Sequence, residues 1–341
     1  MNRKIGFTIV GFGHIGRRHA QMILEHPNAQ LLGVADINPL CAEVAQDDFH
    51  TPFYNSTEDL LKAELQPDVV CICTPNGLHT KLAISALEKG CNVVIEKPMG
   101  LSKADCEEVI FKSLQMSKQV FCVMQNRYSP PAKWLKSLIN EKRLGKIYTV
   151  QVNCYWNRDE RYYKKNSWKG SKELDGGPLF TQFSHFVDMM YWLFGDIRDI
   201  QARFENNNHQ QSTQFLDDSG LVSFHFLNGG MGCFNYSTSV WDTNLESSMT
   251  IIGEHGSVKV GGQYMEKVEY CHIRNYTMPE LPPSNPPNDY GGYKGSAANH
   301  HFVIENVVDV LLGNSTISTN ALEGMKVVEI IERIYGVGKS K

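Results

Sequence analysis

No stretch of this sequence approaches the roughly 20 apolar residues of a membrane-spanning helix, and no membrane partner is expected. A long basic run is also missing and the net charge is −4, so a nucleic-acid backbone or an anionic lipid surface would find little to hold. The amino-terminal apolar run is too short for a signal peptide, and it breaks into Gly11-Phe-Gly13 and basic residues with no small-residue cleavage site. The nine cysteines are odd in number and lack zinc-type spacing. That argues against a disulfide framework and suits a reducing cytoplasm. Cys71 and Cys73 flank one residue of an apolar strand and are expected to face the same side as small core residues. Internal repeats and Ser-His-Asp or Cys-His nucleophile systems are likewise lacking. No metal site is expected: His300 and His301 are adjacent and project differently on a helix, which favours capping or substrate contact over chelation. What remains, at 42% hydrophobic and 21% charged residues, is the composition of an ordinary globular enzyme.

The first 125 residues alternate between β-rich runs (Gly6–Val10, Gln30–Ala35, Asp68–Cys73, Asn92–Ile95, Gln119–Met124) and segments of helical spacing. This rhythm predicts βαβ units around a parallel sheet. It changes at Gln125–Pro130, where Pro130-Pro131 reads as a stiff junction. Strand-like runs dominate from Ile147 to about Ile273. A Pro, Asn and Gly-rich loop is expected at Tyr276–Gly295, and amphipathic helices at His301–Leu312 and Leu322–Ile334. The reading is two domains, 1–125 and 126–341.

Two local patterns carry chemistry. Gly11-Phe12-Gly13-His14-Ile15-Gly16 follows the first strand and opens the first helix, the context in which small residues let a backbone approach a pyrophosphate at a helix amino terminus. Asp36 ends the second strand, placed to accept hydrogen bonds from an adenosine ribose, and its charge would repel a 2′-phosphate. NAD is therefore the expected cofactor. The polar turn Thr74-Pro75-Asn76…His79 is a second candidate for the ribose and nicotinamide side. The other pattern is Asn92-Val-Val-Ile-Glu96-Lys97-Pro98, in which a buried-looking lysine ends an apolar strand. Carboxyl ends of parallel strands face the ligand crevice of open α/β sheets, and a lysine there is costly without a partner or substrate.

With these elements in order, the chain resembles the glucose-fructose oxidoreductase and inositol dehydrogenase family (Gfo/Idh/MocA) over nearly its whole length. A second signature is Gly176-Gly177 followed by Gln182-Phe-Ser-His185-Phe-Val-Asp188. The resemblance implies an α/β fold: an amino-terminal Rossmann doubly wound parallel sheet, then an α+β domain with a large open, mostly antiparallel sheet whose far face builds dimers or tetramers. It implies hydride transfer to nicotinamide, with Lys97, His185 and Asp188 as catalytic residues. His185 and Asp188, three apart, share a helix face, where the acid would orient the imidazole or a substrate hydroxyl. Lys97 or His185 would take the hydroxyl proton while the other bonds the same oxygen. Burial and the nicotinamide charge would lower the lysine pKa. Glu96, Lys97 and Gln125 join the cofactor residues by the same resemblance, and Lys97, Arg127, Arg158, Trp168, Gln182 and His185 the substrate residues.

The segment Tyr155–Gly170 mixes aromatics with cations, suiting phosphates, a carboxylate or a sugar, or else forming a solvated loop. The order Trp168-Lys-Gly170, Leu174-Asp-Gly176-Gly177, Gln182-Phe-Ser-His185 resembles the UDP-N-acetyl-glucosaminuronate 3-dehydrogenase branch, which implies oxidation of a C3 hydroxyl for surface polysaccharides. Gly295–His300 also resembles that branch. Pro178 and Phe180-Thr181 depart from its pattern, and the proline fixes φ and removes an amide donor. The competing readings are a free-sugar or inositol dehydrogenase, a non-catalytic NAD-binding sensor, and a pure interaction protein using Tyr276–Gly295.

Overall fold

The structure, a computed structural model, describes residues 3–165, 167–215 and 217–338. Met1 and Asn2 of the amino-terminal run, and Asn166 of the Tyr155–Gly170 segment, lie outside the described residues. The chain divides into two compact units, Met1–Met124 with His300–Val328, and Gln125–Asn299 with Glu329–Lys341.

In the first unit the elements run β1 (Ile5–Val10), α1 (His14–Glu25), β2 (Ala29–Ala35), α2 (Cys41–Asp47), β3 (Phe53–Tyr54), α3 (Thr57–Lys62), β4 (Val69–Ile72), α4 (His79–Glu88), β5 (Asn92–Ile95), α5 (Lys103–Met116) and β6 (Val120–Cys122). All six strands pair in parallel, in the order β3-β2-β1-β4-β5-β6. β1 and β4 are buried at every position, as strands covered on both faces must be. Ser56 and Ser102 start α3 and α5 by accepting from the amides of Asp59 and Asp105. The chain leaves β1 outward through β2 and β3 and returns to the other side of β1 as β4. The switch point of the sheet therefore lies between β1 and β4, where open α/β sheets bind ligands.

The second unit begins with α6 (Pro130–Asn140), followed by β7 (Ile147–Tyr155), α7 (Pro178–Thr181), α8 (Ser184–Phe194), β8 (Ile197–Glu205), β9 (Ser219–Phe226), β10 (Met231–Ser237), β11 (Glu246–Gly253), β12 (Gly256–Gly261), β13 (Lys267–Ile273), β14 (Pro287–Asp289) and β15 (Lys294–Ala297). Pro130-Pro131 is the first turn of α6, where a missing N–H costs nothing, rather than a separate junction. The seven-stranded sheet runs β13-β12-β11-β7-β10-β9-β8 and is antiparallel except for β7 and β10. Alternate residues such as Val150, Val152, Val222, Phe224 and Phe234 are buried, while Leu221, Met231 and Ile252 are exposed on the opposite face. The segment read as a loop carries β14 and runs into β15, which pairs with it.

Two helices close the chain, α9 (His300–Leu311) and α10 (Ala321–Gly338). The sequence reading kept everything after Gln125 together, but α9 packs on α1 and its segment belongs to the first unit. Amphipathic spacing announces a buried face, Val303, Ile304, Val307 and Val308 here, without saying which layer it covers.

Candidate functional site

The glycine-rich turn joins β1 to α1. Gly11 sits at φ 90°, and a Cβ there would lie 2.6 Å from the Cys73 carbonyl oxygen, so the turns after β1 and β4 touch backbone to backbone. A Cβ on Gly16 would lie 2.0 Å from the Gly11 oxygen, which locks the helix start against the turn. Gly13, the cap of α1, faces open space; no side chain caps it and the first helical turn holds no acid. That leaves the positive end of a 12-residue helix open to an anion. Asp36 accepts from the amides of Phe12 at 2.6 Å and Asn38 at 2.8 Å, which fixes its carboxylate at the end of β2. These residues fit a dinucleotide: helix amides for its pyrophosphate, an acid for its ribose.

The turn after β4 is braced rather than loose. His79 Nδ1 is 2.7 Å from the Pro98 oxygen and Nε2 is 2.8 Å from the Thr74 oxygen, so both ring nitrogens face the protein's own carbonyls. His79 ties the turn containing Thr74 and Pro75 to the one containing Lys97. Burial lowers its pKa against the pull of those two oxygens. Cys71 is a small buried residue of β4 as expected, with burial pushing its thiol up, whereas Cys73 lies past the end of the strand and is only partly buried.

Lys97 stands two residues past the end of β5, and the acid between them, Glu96, is deeply buried. Glu96 Oε1 lies 2.9 Å from His19 Nε2 and 3.5 Å from His300 Nε2, and Oε2 accepts the Lys97 amide at 3.2 Å. Burial alone would raise the Glu96 pKa, but the two imidazoles outweigh it and hold the carboxyl well below its usual range. The three donor atoms lie within 4.8 Å of one another, a spacing compatible with a metal, yet they already close as hydrogen bonds. His300 was expected to cap a helix or touch substrate; it is buried against Glu96 instead. Glu96, expected at the cofactor, has its oxygens engaged by the protein.

In the second unit, Gln125 and Arg127 lie on a short 3₁₀ turn and His185 and Asp188 on α8. The i, i+3 spacing places His185 and Asp188 together on one buried helix, with the flanking Phe183 and Phe186 packed edge-on to Trp156. Asp188 accepts a two-pronged bond from Arg127, Nε at 2.9 Å and a terminal nitrogen at 2.6 Å. His185 Nε2 is 3.4 Å from Gln125 Nε2. Pro178 is the first residue of α7, where its lost amide is immaterial. A Cβ on Gly177 (φ 123°) would lie 2.7 Å from the Tyr335 hydroxyl.

Arg158 is 1% exposed. It donates to Gln182 Oε1 at 2.6 Å, the Asn157 oxygen at 2.5 Å, Asn244 Oδ1 at 3.2 Å and the Lys294 oxygen at 3.0 Å. The guanidinium also lies against Trp156, Tyr162 and Tyr293, 4.8 to 5.2 Å from the ring centres. Gln182, another expected substrate residue, gives its remaining amide to the Tyr162 hydroxyl at 2.6 Å. Trp168 lies half-buried in the same loop. Sequence reasoning quoted Tyr162, Lys169 and Asp175 only within longer segments, gave none of them a role of its own, and missed Tyr293; all four are drawn into this cluster. The acid in Leu174-Asp-Gly176-Gly177 was a signal that was there to be used.

A parallel sheet with a glycine turn and a ribose-side acid at its switch point defines a nicotinamide-dependent oxidoreductase with a Rossmann domain. Residues 5–124 match the model of the oxidoreductase family with an NAD-binding Rossmann fold, and residues 133–259 match the GFO/IDH/MocA C-terminal domain. The chain belongs to the Gfo/Idh/MocA family; it is an NAD-dependent enzyme acting on CH–OH groups. It is similar to the WlbA dehydrogenase of Chromobacterium violaceum, solved with NADH and UDP-GlcNAcA (31% identity, TM-score 0.88, covering 99% of this chain and 95% of that one). The WlbA dehydrogenase of Bordetella pertussis, with the same ligands, is 30% identical at TM-score 0.86 over 99% and 97% of the two chains. Glucose-6-phosphate 3-dehydrogenase of Bacillus subtilis is 25% identical, covering 86% of this chain and 85% of its own. No helix among the described residues is long and apolar enough to cross a membrane.

Proposed function

We propose that this enzyme oxidises the C3 hydroxyl of an anionic, nucleotide-linked sugar, UDP-N-acetylglucosaminuronic acid, in the making of surface polysaccharide in the cytoplasm. The observation that carries this reading is the pair of cations Arg158 and Lys169 set among tyrosine rings, with no carboxylate in an ion pair with either among the described residues. A neutral sugar gives such a cluster nothing to do, whereas a uronate or a diphosphate matches it. The WlbA structures support the reading from outside the chain. The glucose-6-phosphate relative makes a sugar phosphate the rival substrate.

The turn Gly11–Ile15 and Asp36 would hold the cofactor, with the Thr74–Asn76 turn and Gln125 on its nicotinamide side. NAD, when bound, supplies the hydride acceptor for the C3 hydrogen. The chain's own task is the other half: as the C–H pair leaves carbon, the hydroxyl must lose its proton and become a carbonyl. Lys97 is assigned as the group that takes that proton, with His185 as the second candidate and Asp188 as its helix-face companion. Glu96, fixed by His19 and His300, positions the lysine backbone through the Lys97 amide. The exposed sheet face around Leu221, Met231 and Ile252 is assigned to self-association as a dimer or tetramer.

The test is absorbance at the NADH band on mixing protein, NAD and UDP-N-acetylglucosaminuronic acid, with and without 2-oxoglutarate. A stoichiometric burst or a steady rise is expected; flat traces in both, with NAD binding demonstrated, would remove this substrate. Lys97→Ala is expected to lower turnover by about 10²–10⁴-fold while NAD still binds. Near-full turnover by that variant would refute the assignment of Lys97.

A further inference from the structure

Lys169 stands in the loop before α7 with its ammonium 2.8 Å from the Tyr293 hydroxyl and 4.0 and 4.6 Å from the ring centres of Tyr162 and Tyr293. Arg158 lies against the same two rings, so two cations share one aromatic wall. The acid whose charge reaches Lys169 is Asp175, and it is a poor counter-ion. It is buried, accepts from the Gly170 amide at 2.8 Å and from the Thr181 hydroxyl, and burial pushes its pKa up to about 6. Lys164 adds a further positive charge. The cluster is short of negative charge.

The two cations differ in what they have left to give. Arg158 is buried and has donated to four oxygens of the protein. Lys169 is only half-buried, and of its three ammonium hydrogens one is accounted for by Tyr293. We infer that Lys169, backed by the buried charge of Arg158, is the seat of an anionic group on the substrate, a carboxylate or a phosphate. This rests on the reading above and names the residue that sets its specificity.

A pH signature follows. Burial and the neighbouring Arg158 pull Lys169 down to about 8, so an anion seated there would stabilise the protonated form. Affinity for anionic compounds should be level between the Asp175 titration near 6 and about pH 8, and fall as pH rises through 8. The facing groups do not titrate in that window: Asp175 does so near 6, and burial pushes Tyr162 and Tyr293 above their ordinary range.

The experiment is calorimetry on the NADH-loaded protein with UDP-N-acetylglucosaminuronic acid, UDP-N-acetylglucosamine, N-acetylglucosaminuronic acid, glucose 6-phosphate and glucose. Wild type, Lys169→Met, Lys169→Gln and Lys169→Arg are compared, each first confirmed folded by its melting curve. Wild type should bind at least one of the anionic compounds in preference to neutral glucose, Met and Gln should each erase roughly 10- to 100-fold of that preference, and Arg should restore most of it. Loss with both uronates but not with UDP-N-acetylglucosamine places the carboxylate on Lys169; loss with UDP-N-acetylglucosamine as well places the diphosphate there. A wild type without anion preference, or Met and Gln variants that keep it, would overturn the seat. A wild type that ignores the nucleotide sugars yet binds glucose 6-phosphate over glucose through Lys169 keeps the seat and removes the nucleotide-sugar substrate.

Discussion

The second unit buries two arginines, and they are buried in opposite ways. Arg127 meets Asp188 in a two-pronged ion pair, with side chains 5% and 1% exposed. Arg158 is as deeply buried, but its partners are backbone oxygens, two side-chain amides and ring faces, none of which carries charge. Both guanidinium groups donate to oxygens of the protein, so the presence of hydrogen bonds alone does not tell them apart. Electrostatics does: the field of Arg127 is cancelled where it stands, while that of Arg158 extends to whatever lies near. A cancelled charge fastens α8 to the turn before α6. An uncancelled one conditions its surroundings: Lys169 is depressed to about 8 first by its own burial and then by Arg158.

The sharpest way to break this contrast is Asp188→Ala. It removes the carboxylate that pairs with the buried Arg127 and is expected to cost about 3–5 kcal/mol, measured by denaturant unfolding. Arg158→Met should cost less, about 1–3 kcal/mol for the acceptors left without a donor, because it also removes a charge that burial disfavours. The same variant should weaken binding of anionic sugars. If the two variants destabilise equally, the distinction between cancelled and uncancelled charge fails. Asp217 gives the acid's version of the test, with the smallest expected effect. It accepts from the Tyr236 hydroxyl at 2.5 Å, lies 3.3 Å from that of Tyr335, and has no cation in an ion pair with it among the described residues. Burial pushes its pKa from 3.8 to about 7. A folded pKa above the unfolded one means that the folded state holds the proton more tightly. Its stabilising contribution is then complete below about pH 4 and lost as pH rises to about 7. Asp217→Asn should flatten the melting temperature across that range and melt a few degrees above wild type at pH 8; an unchanged slope would show that other groups govern it.

What the sequence disclosed depended on how local each cause was. The turn from Gly11 to Gly16 was legible because its chemistry is contained in a strand, a turn and a helix adjacent in sequence. Lys97 was singled out for the same reason, by its position just after the apolar run of β5. The two-residue strand β3 was not, since Phe53-Tyr54 is a strand only by pairing with Val34-Ala35. Arg158 was read as facing a ligand because composition marks a cation among aromatics but not its burial, and burial here is set by the Lys294 carbonyl and Gln182. His300 likewise reveals its partner only when α9 is laid on α1. The hairpin of β14 and β15 was hidden in a stretch whose prolines and glycines read as loop.

The parallel pairing of β7 with β10 has a consequence for how the chain reaches this state. A parallel partner cannot be joined by a tight turn, and the chain between Tyr155 and Met231 includes Arg158, Lys169, His185 and Asp188. Pairing these two strands closes a long loop, and that loop-closure entropy is spent before the pairing rewards it. The central pairing of this sheet therefore carries a larger entropic cost of closure than its hairpin pairings do.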